Sequence, residues 1–228
     1  MKIEIITIII SAITGSLATM VVQYILKVTE RIKRARDTLV ECQNYLNECL
    51  QIASDNRYWC TGFCNEYGKH NILCCNPRLF PEFLKIPNFL DIELINIMIK
   101  LQTYIKHTNQ DLEVLNERRI FFNDNFLLNN INEERFSKNL SKIEDEVSSL
   151  SEHIKKIIVT KLHYTMAYVR ISLRKSNKKS IYMWLLMKLF SRFKPTEQEI
   201  SEEIDVIKSE IEISRNEHKK EIEDKGMN

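Results

Sequence analysis

The sequence predicts an all-α protein with a single N-terminal transmembrane helix followed by long helices in a bundle or coiled coil. Three observations lead there. In "IEIITIIISAITGSLATMVVQYIL", Ile3 to Leu26, Glu4 is the only charge. Helix breakers are scarce: of four Gly and four Pro, no Gly falls between Gly68 and Gly226 and no Pro between Pro87 and Pro195. Elsewhere apolar residues recur in alternating steps of four and three, the period that keeps one helical face dry.

Residues 1–28 are expected to be the anchor. At about 1.5 Å per residue, Ile3 to Leu26 makes about 36 Å of helix, more than the roughly 30 Å of a hydrocarbon core. A cleaved signal peptide would end its apolar run at small residues, whereas this run carries on through Tyr24, Ile25 and Leu26. Lys27, Arg31, Lys33, Arg34 and Arg36 follow the span, and only Lys2 and the α-amino group precede it. The positive-inside bias then gives an inner (plasma) membrane protein of the bacterial kind, single-pass, with its N-terminus outside and its C-terminal domain in the cytoplasm. Ser11, Gly15 and Thr19 form a small-xxx-small strip that lets a second span approach closely, although small residues are also simply common in spans.

Residues 29–56 read as a juxtamembrane coiled-coil helix. Val28, Ile32, Ala35, Leu39, Cys42, Leu46, Cys49 and Ala53 hold the four-three spacing directly from the span. Self-association is therefore expected, through Ser11, Gly15 and Thr19 in the lipid and through Val28, Ile32, Leu39 and Leu46 beyond it. Cys42 and Cys49 lie on this seam as small hydrophobes, and the six cysteines of a cytoplasmic domain are expected to be reduced.

Residues 57–90 break the pattern with Gly62, Gly68, Pro77, Pro81 and Pro87 and are expected to form an irregular loop capping one end of the helices. Cys60, Cys64, His70, Cys74 and Cys75 cluster here. Thiolates and an imidazole suit tetrahedral zinc, but the spacing lacks the paired CxxC units of structural zinc sites. Packed thiols are the preferred reading, and no metal or cofactor is expected.

Residues 91–176 read as a long helical hairpin. Its first arm carries Leu94, Met98, Leu101, Ile105, Thr108, Leu112 and Leu115. A break is expected between Phe121 and Asn130, where Asn and Asp favour a turn. The second arm carries Phe136, Leu140, Ile143, Val147, Leu150, Ile154 and Ile157, then runs less regularly through Lys161, Tyr164, Tyr168 and Ile171.

Charge divides the remainder. Lys155 to Lys194 holds eleven Lys or Arg and no acid, whereas Thr196 to Asn228 holds eleven acids and five bases. Such blocks either seek phosphate and lipid headgroups or neutralise one another. Residues 177–194 form a basic amphipathic segment, too short to span a bilayer. Lys178, Lys179, Tyr182, Trp184, Lys188 and Arg192 suit the headgroup region, and an ordinary core helix is the competing reading. Aromatics among cations also fit single-stranded nucleic acid, a partner that is possible but not favoured. Residues 195–228 should form an acidic C-terminal helix on Ile200, Ile204, Ile207 and Ile211, opened by a Thr196/Glu199 capping box after Pro195.

No catalytic signature appears: GxxxxGK[ST], GxGxxG and HExxH are absent, and "EHK" at Glu217 to Lys219 lies in a charged helical tail. The expected function is a non-enzymatic, membrane-anchored scaffold or adaptor acting on an unknown protein partner. The alternatives are a membrane-acting effector, such as an envelope-disrupting protein of antiphage defence, and a membrane-tethered nucleic-acid binder.

Overall fold

A computed structural model describes the backbone of residues 2–65, 76–81, 91–128, 132–177 and 195–224, and every regular element among them is helical. Helix α1 spans Lys2–Asn65 without interruption, and α2 spans Ile92–Leu127. Helix α3, Glu133–His153, passes through a π turn at Ile154–Ile158 into α4, Val159–Asn177. The last helix, α5, is Glu197–Asp224.

The helix starts follow from local chemistry. Asp91 Oδ1 accepts the Glu93 N–H at 2.8 Å ahead of α2, and Asn132 Oδ1 accepts the Arg135 N–H at 2.9 Å ahead of α3. Before α5 the capping box is reciprocal: Glu199 N–H donates to Thr196 Oγ1 at 3.2 Å, and Thr196 N–H to Glu199 Oε2 at 2.8 Å. Each pair satisfies backbone donors that a helix end leaves without a partner. Helix α1 runs past the boundary expected at 57, because Asn56 and Cys60 prolong its four-three spacing and both are fully buried.

The α3–π–α4 rod lies in the middle, with α1 and α2 each packed against it. Its central position shows in α4, where the five consecutive residues Thr165, Met166, Ala167, Tyr168 and Val169 are all buried. A helix dry on every side is one surrounded by other elements. The core residues of α1 (Leu39, Cys42, Leu46, Cys49, Ile52, Ala53) and the apolar residues of the predicted α2 seam, Leu94 to Leu115, form one cluster with those of the rod.

The register of the rod departs from the sequence reading after Ile154. Leu150, Ile154, Ile158, Leu162 and Met166 are all buried, a spacing of four throughout, whereas Ile157 is only partly buried. On a regular α-helix each such step drifts about 40°, so the face would be lost within a few turns. The π turn absorbs the drift by taking in one extra residue, and the Val159 N–H reaches back to the Ile154 carbonyl. The irregular continuation through Lys161, Tyr164 and Tyr168 is thus a seam shifted by one residue.

Between α1 and α2 runs an extended strap, Asn76 to Pro81. The Asn56 side chain donates to the Arg78 carbonyl at 2.7 Å and accepts its N–H at 2.9 Å. Asn109 treats Phe80 likewise, accepting at 2.9 Å and donating at 3.0 Å. Two amides, one from each helix, therefore replace the backbone partners that a neighbouring strand would supply. Phe80 is buried in the core, and Arg119, itself buried, donates to Asn76 Oδ1 at 3.0 Å.

These contacts fix directions. Along the strap the α1 partners run from Asn56 back to Tyr45, and the α2 partners from Arg119 back to Asn109. The strap is antiparallel to both helices, so α1 and α2 are parallel to each other. Arg118 pairs with Glu146 at 2.6 Å, and Asp91 and Glu93 lie beside Tyr168. The rod therefore runs opposite to α2, and opposite to α1.

Candidate membrane-facing end

Among the described residues one helix is long and apolar enough to cross a membrane, and only 6% of its apolar window is buried within the chain. Ile13, Leu17, Met20, Val21, Val22, Tyr24, Ile25 and Leu26 are all exposed. The same helix then becomes cationic, with Lys27, Arg31, Lys33, Arg34 and Arg36 exposed and Arg34 held to Glu30 one turn away.

The antiparallel rod brings α4 back to this collar. Arg57 on α1 lies within electrostatic reach of Glu152 on α3. Counting from that level at about 1.5 Å per residue sets Asn177 abreast of the stretch Lys27 to Arg36. Ala35 is partly buried against the common core, consistent with packing that far up. Had the three long helices simply alternated direction, α4 would have ended at the opposite pole. The strap reverses the chain once more and so resets the parity.

Helix α5 packs on α4 and on no other described element. The opposite charges of the two sequence blocks meet here. Lys175 Nζ lies 2.9 Å from Glu199 Oε2, Arg170 Nη1 lies 2.7 Å from Glu210 Oε2 and 3.7 Å from Glu203 Oε1, and Arg174 also pairs with Glu203. Glu203 is only 4% exposed, so its charge is held between two guanidinium groups rather than by water. Ile200 and Ile207 supply the dry part of the contact.

The predicted site residues separate into four fates. Ser11, Gly15 and Thr19 are exposed, and nothing lies within 4 Å of a Cβ built at Gly15. Val28 is buried and Ile32 half-buried, but Leu39 and Leu46 belong to the core of their own chain. Within the chain, the seam packs on the α3–π–α4 rod. Cys60 is buried in the core, and the described residues hold no metal-binding group of three or more His, Cys, Asp or Glu. The Cys64 side chain, His70, Cys74 and Cys75 fall outside the described residues, as do Lys178, Lys179, Tyr182, Trp184, Lys188 and Arg192.

Burial pushes the Cys42 thiol up to about 11 and the Cys49 thiol up to about 12, so both stay protonated and neither is a nucleophile or a ready ligand. The residues missed by sequence reading are polar: Asn56, Arg119 and Glu203, which are buried, and Arg170, which is half-buried. Asn56 and Arg119 sat in phase with the first and second seams, which was the available signal. Comparison with known protein families, with characterised proteins and with solved structures finds no match.

The α4–α5 contact carries a pH prediction. Burial, with a contribution from Lys208, lowers His163 from its ordinary 6.5, so the folded state holds this imidazole neutral. The Thr196 N–H and the Lys175 ammonium hold Glu199 below its ordinary 4.5. In both cases the unfolded state binds the proton more readily, so stability is full above the ordinary value and falls as pH drops through the depressed one. The unfolding midpoint should fall as pH drops below about 6.5, and fall further below about 4.5. His163→Gln should remove the first step and leave the second, and an unchanged profile in that variant would exclude His163 as its source.

Proposed function

We propose that the protein is a single-pass, membrane-anchored helical scaffold or adaptor, non-enzymatic, whose cytoplasmic bundle presents helical surfaces to a protein partner. The observation that carries this reading is the exposed apolar stretch of α1 continuing as one helix into the packed domain. None of the described residues covers that stretch, and lipid is the solvent that suits it. The cationic collar supports an N-out, C-in orientation at an inner membrane. Self-association in lipid would use Ser11, Gly15 and Thr19, the part of the expected interface that stays exposed.

Alkaline carbonate should fail to extract the full-length chain from membranes, whereas a chain starting at Thr29 should appear in the soluble fraction. Complete extraction of the full-length protein would end the anchored reading. Protease added to intact spheroplasts should spare the C-terminal domain, and digestion from outside would invert the topology.

A second reading, a membrane-acting effector, is favoured by the return of α4 to the collar. Helix α4 ends there at Asn177, and the composition of the sequence that follows, with Tyr182, Trp184 and flanking lysines, suits an anionic interface. Loss of membrane potential on induction of the intact protein, abolished by Trp184→Glu, would favour the effector over the scaffold.

A further inference from the structure

The end of α4 presents Arg170, Arg174 and Lys175 toward α5, and each is paired with a carboxylate of that helix. We propose that these three cations form a binding site for anionic lipid headgroups, which α5 keeps closed by occupying it with Glu199, Glu203 and Glu210. Helix α5 is on this view a releasable clasp. The inference rests on the membrane-anchored reading.

Four observations support it. The chemistry matches, since guanidinium groups bind carboxylate and phosphate oxygens in the same forked geometry. The attachment is local: α5 touches α4 alone among the described elements, so it can leave without parting α1 or α2 from the rod. The contact is imperfect. Arg170 Nε, Glu203 Oε1 and His163 Nε2 are buried without a hydrogen-bond partner among the described residues, so the polar network is only partly satisfied.

Position supplies the fourth. Lys175 and Arg174 lie one turn or less from the C-terminus of α4, at the level of the collar. That is within about one Debye length, roughly 10 Å, of the headgroups beside Lys27. An anionic leaflet there would compete with the carboxylates for the same cations, whereas a zwitterionic one would not. Salt screens the exposed lipid attraction more than the partly buried pairs, so raised ionic strength should favour the closed state.

The test uses the full-length protein in nanodiscs, with hydrogen exchange read on the amides of residues 200–211. In phosphatidylcholine discs these amides should be protected. In discs containing phosphatidylglycerol at low salt they should exchange about tenfold faster, as expected for local opening of one helix, and added salt should restore protection. Glu210→Gln removes a pair at the rim of the contact without disturbing the isoleucines, and should lower the anionic fraction needed for release. Equal protection in both discs, for wild type and for this variant, would make α5 a fixed structural helix and overturn the proposal. Release by inorganic phosphate in phosphatidylcholine discs would overturn the lipid assignment. Failure of the chain to enter discs at all would overturn the anchored reading instead, and this inference with it.

Discussion

A chain lacking Lys156 should fold, and a chain lacking Lys106 should not. Both residues are exposed lysines in the interior of long helical stretches, so side-chain loss costs little in either case. Their backbones differ. Lys156 lies in the π turn, where the rod already contains one residue more than a regular helix needs. Removing it lets the rod close as an uninterrupted α-helix, with Leu150 and Ile154 still in phase with the former Ile158, Leu162 and Met166. Helix α2 has no such surplus. Deleting Lys106 rotates one half of it by about 100° against the other, which turns either Leu94, Met98 and Leu101 or Leu112 and Leu115 out of the core. Losing a buried Leu to Ala costs about 2–5 kcal/mol, so two or three such losses approach a typical total stability of about 5–15 kcal/mol. Circular dichroism and urea titration should show a cooperative transition within about 2 kcal/mol of wild type for the Lys156 deletion. Loss of cooperative unfolding in that variant would mean that the π turn is required rather than tolerated.

Asn56→Ala should be the most damaging single polar substitution in α1. Asn56 is fully buried, and among the described residues its amide holds both the N–H and the carbonyl of Arg78. A buried backbone group left without a partner costs about 1–3 kcal/mol; these two lie in a part-buried contact, so the pair should cost about 2–4 kcal/mol. Asn47→Ala on the exposed face of the same helix is the control, expected within about 0.5 kcal/mol of wild type. Asn109→Ala should fall between, because Asn109 is half-buried and water can replace part of its role. If Asn56→Ala unfolds at the same urea concentration as Asn47→Ala, the strap is not held through that amide. The substitution acts on topology as well as stability, because the strap is the segment that turns α2 parallel to α1.

How much could be read in advance depended on whether the cause was local. The seam of α2 is the clearest case: every residue from Leu94 to Leu115 assigned to it is buried, because a four-three spacing on one helix has a single dry face. The capping box at Thr196 was legible for the same reason, its donors and acceptors lying within four residues of one another. The rod was legible from Ile143 only as far as Ile154, the side chains of Phe136 and Leu140 lying outside the described residues. Beyond Ile154 the middle of α4, Thr165 to Val169, is buried on all sides among three other helices, so no single stripe marks its core, and the π turn shifted the register by one. The pairing of the basic and acidic blocks was one of two readings that charge alone allowed, and the contact between α4 and α5 shows it for Arg170, Arg174 and Lys175.

The sequence by itself determined that the chain is helical, where its helices begin, and that an exposed apolar stretch opens into a cationic collar. These are properties of neighbouring residues and of periods of a few residues, which the chain carries wherever it is placed. Only the tertiary structure decided that Leu39 and Leu46 are buried in the core of their own chain, and that α4 returns to the collar. Hydrophobic burial rewards removal of apolar surface from water without regard to what covers it, so a seam names its face and never its partner. The partner was settled by the strap, through two asparagines whose bonds to Arg78 and Phe80 join positions more than twenty residues apart.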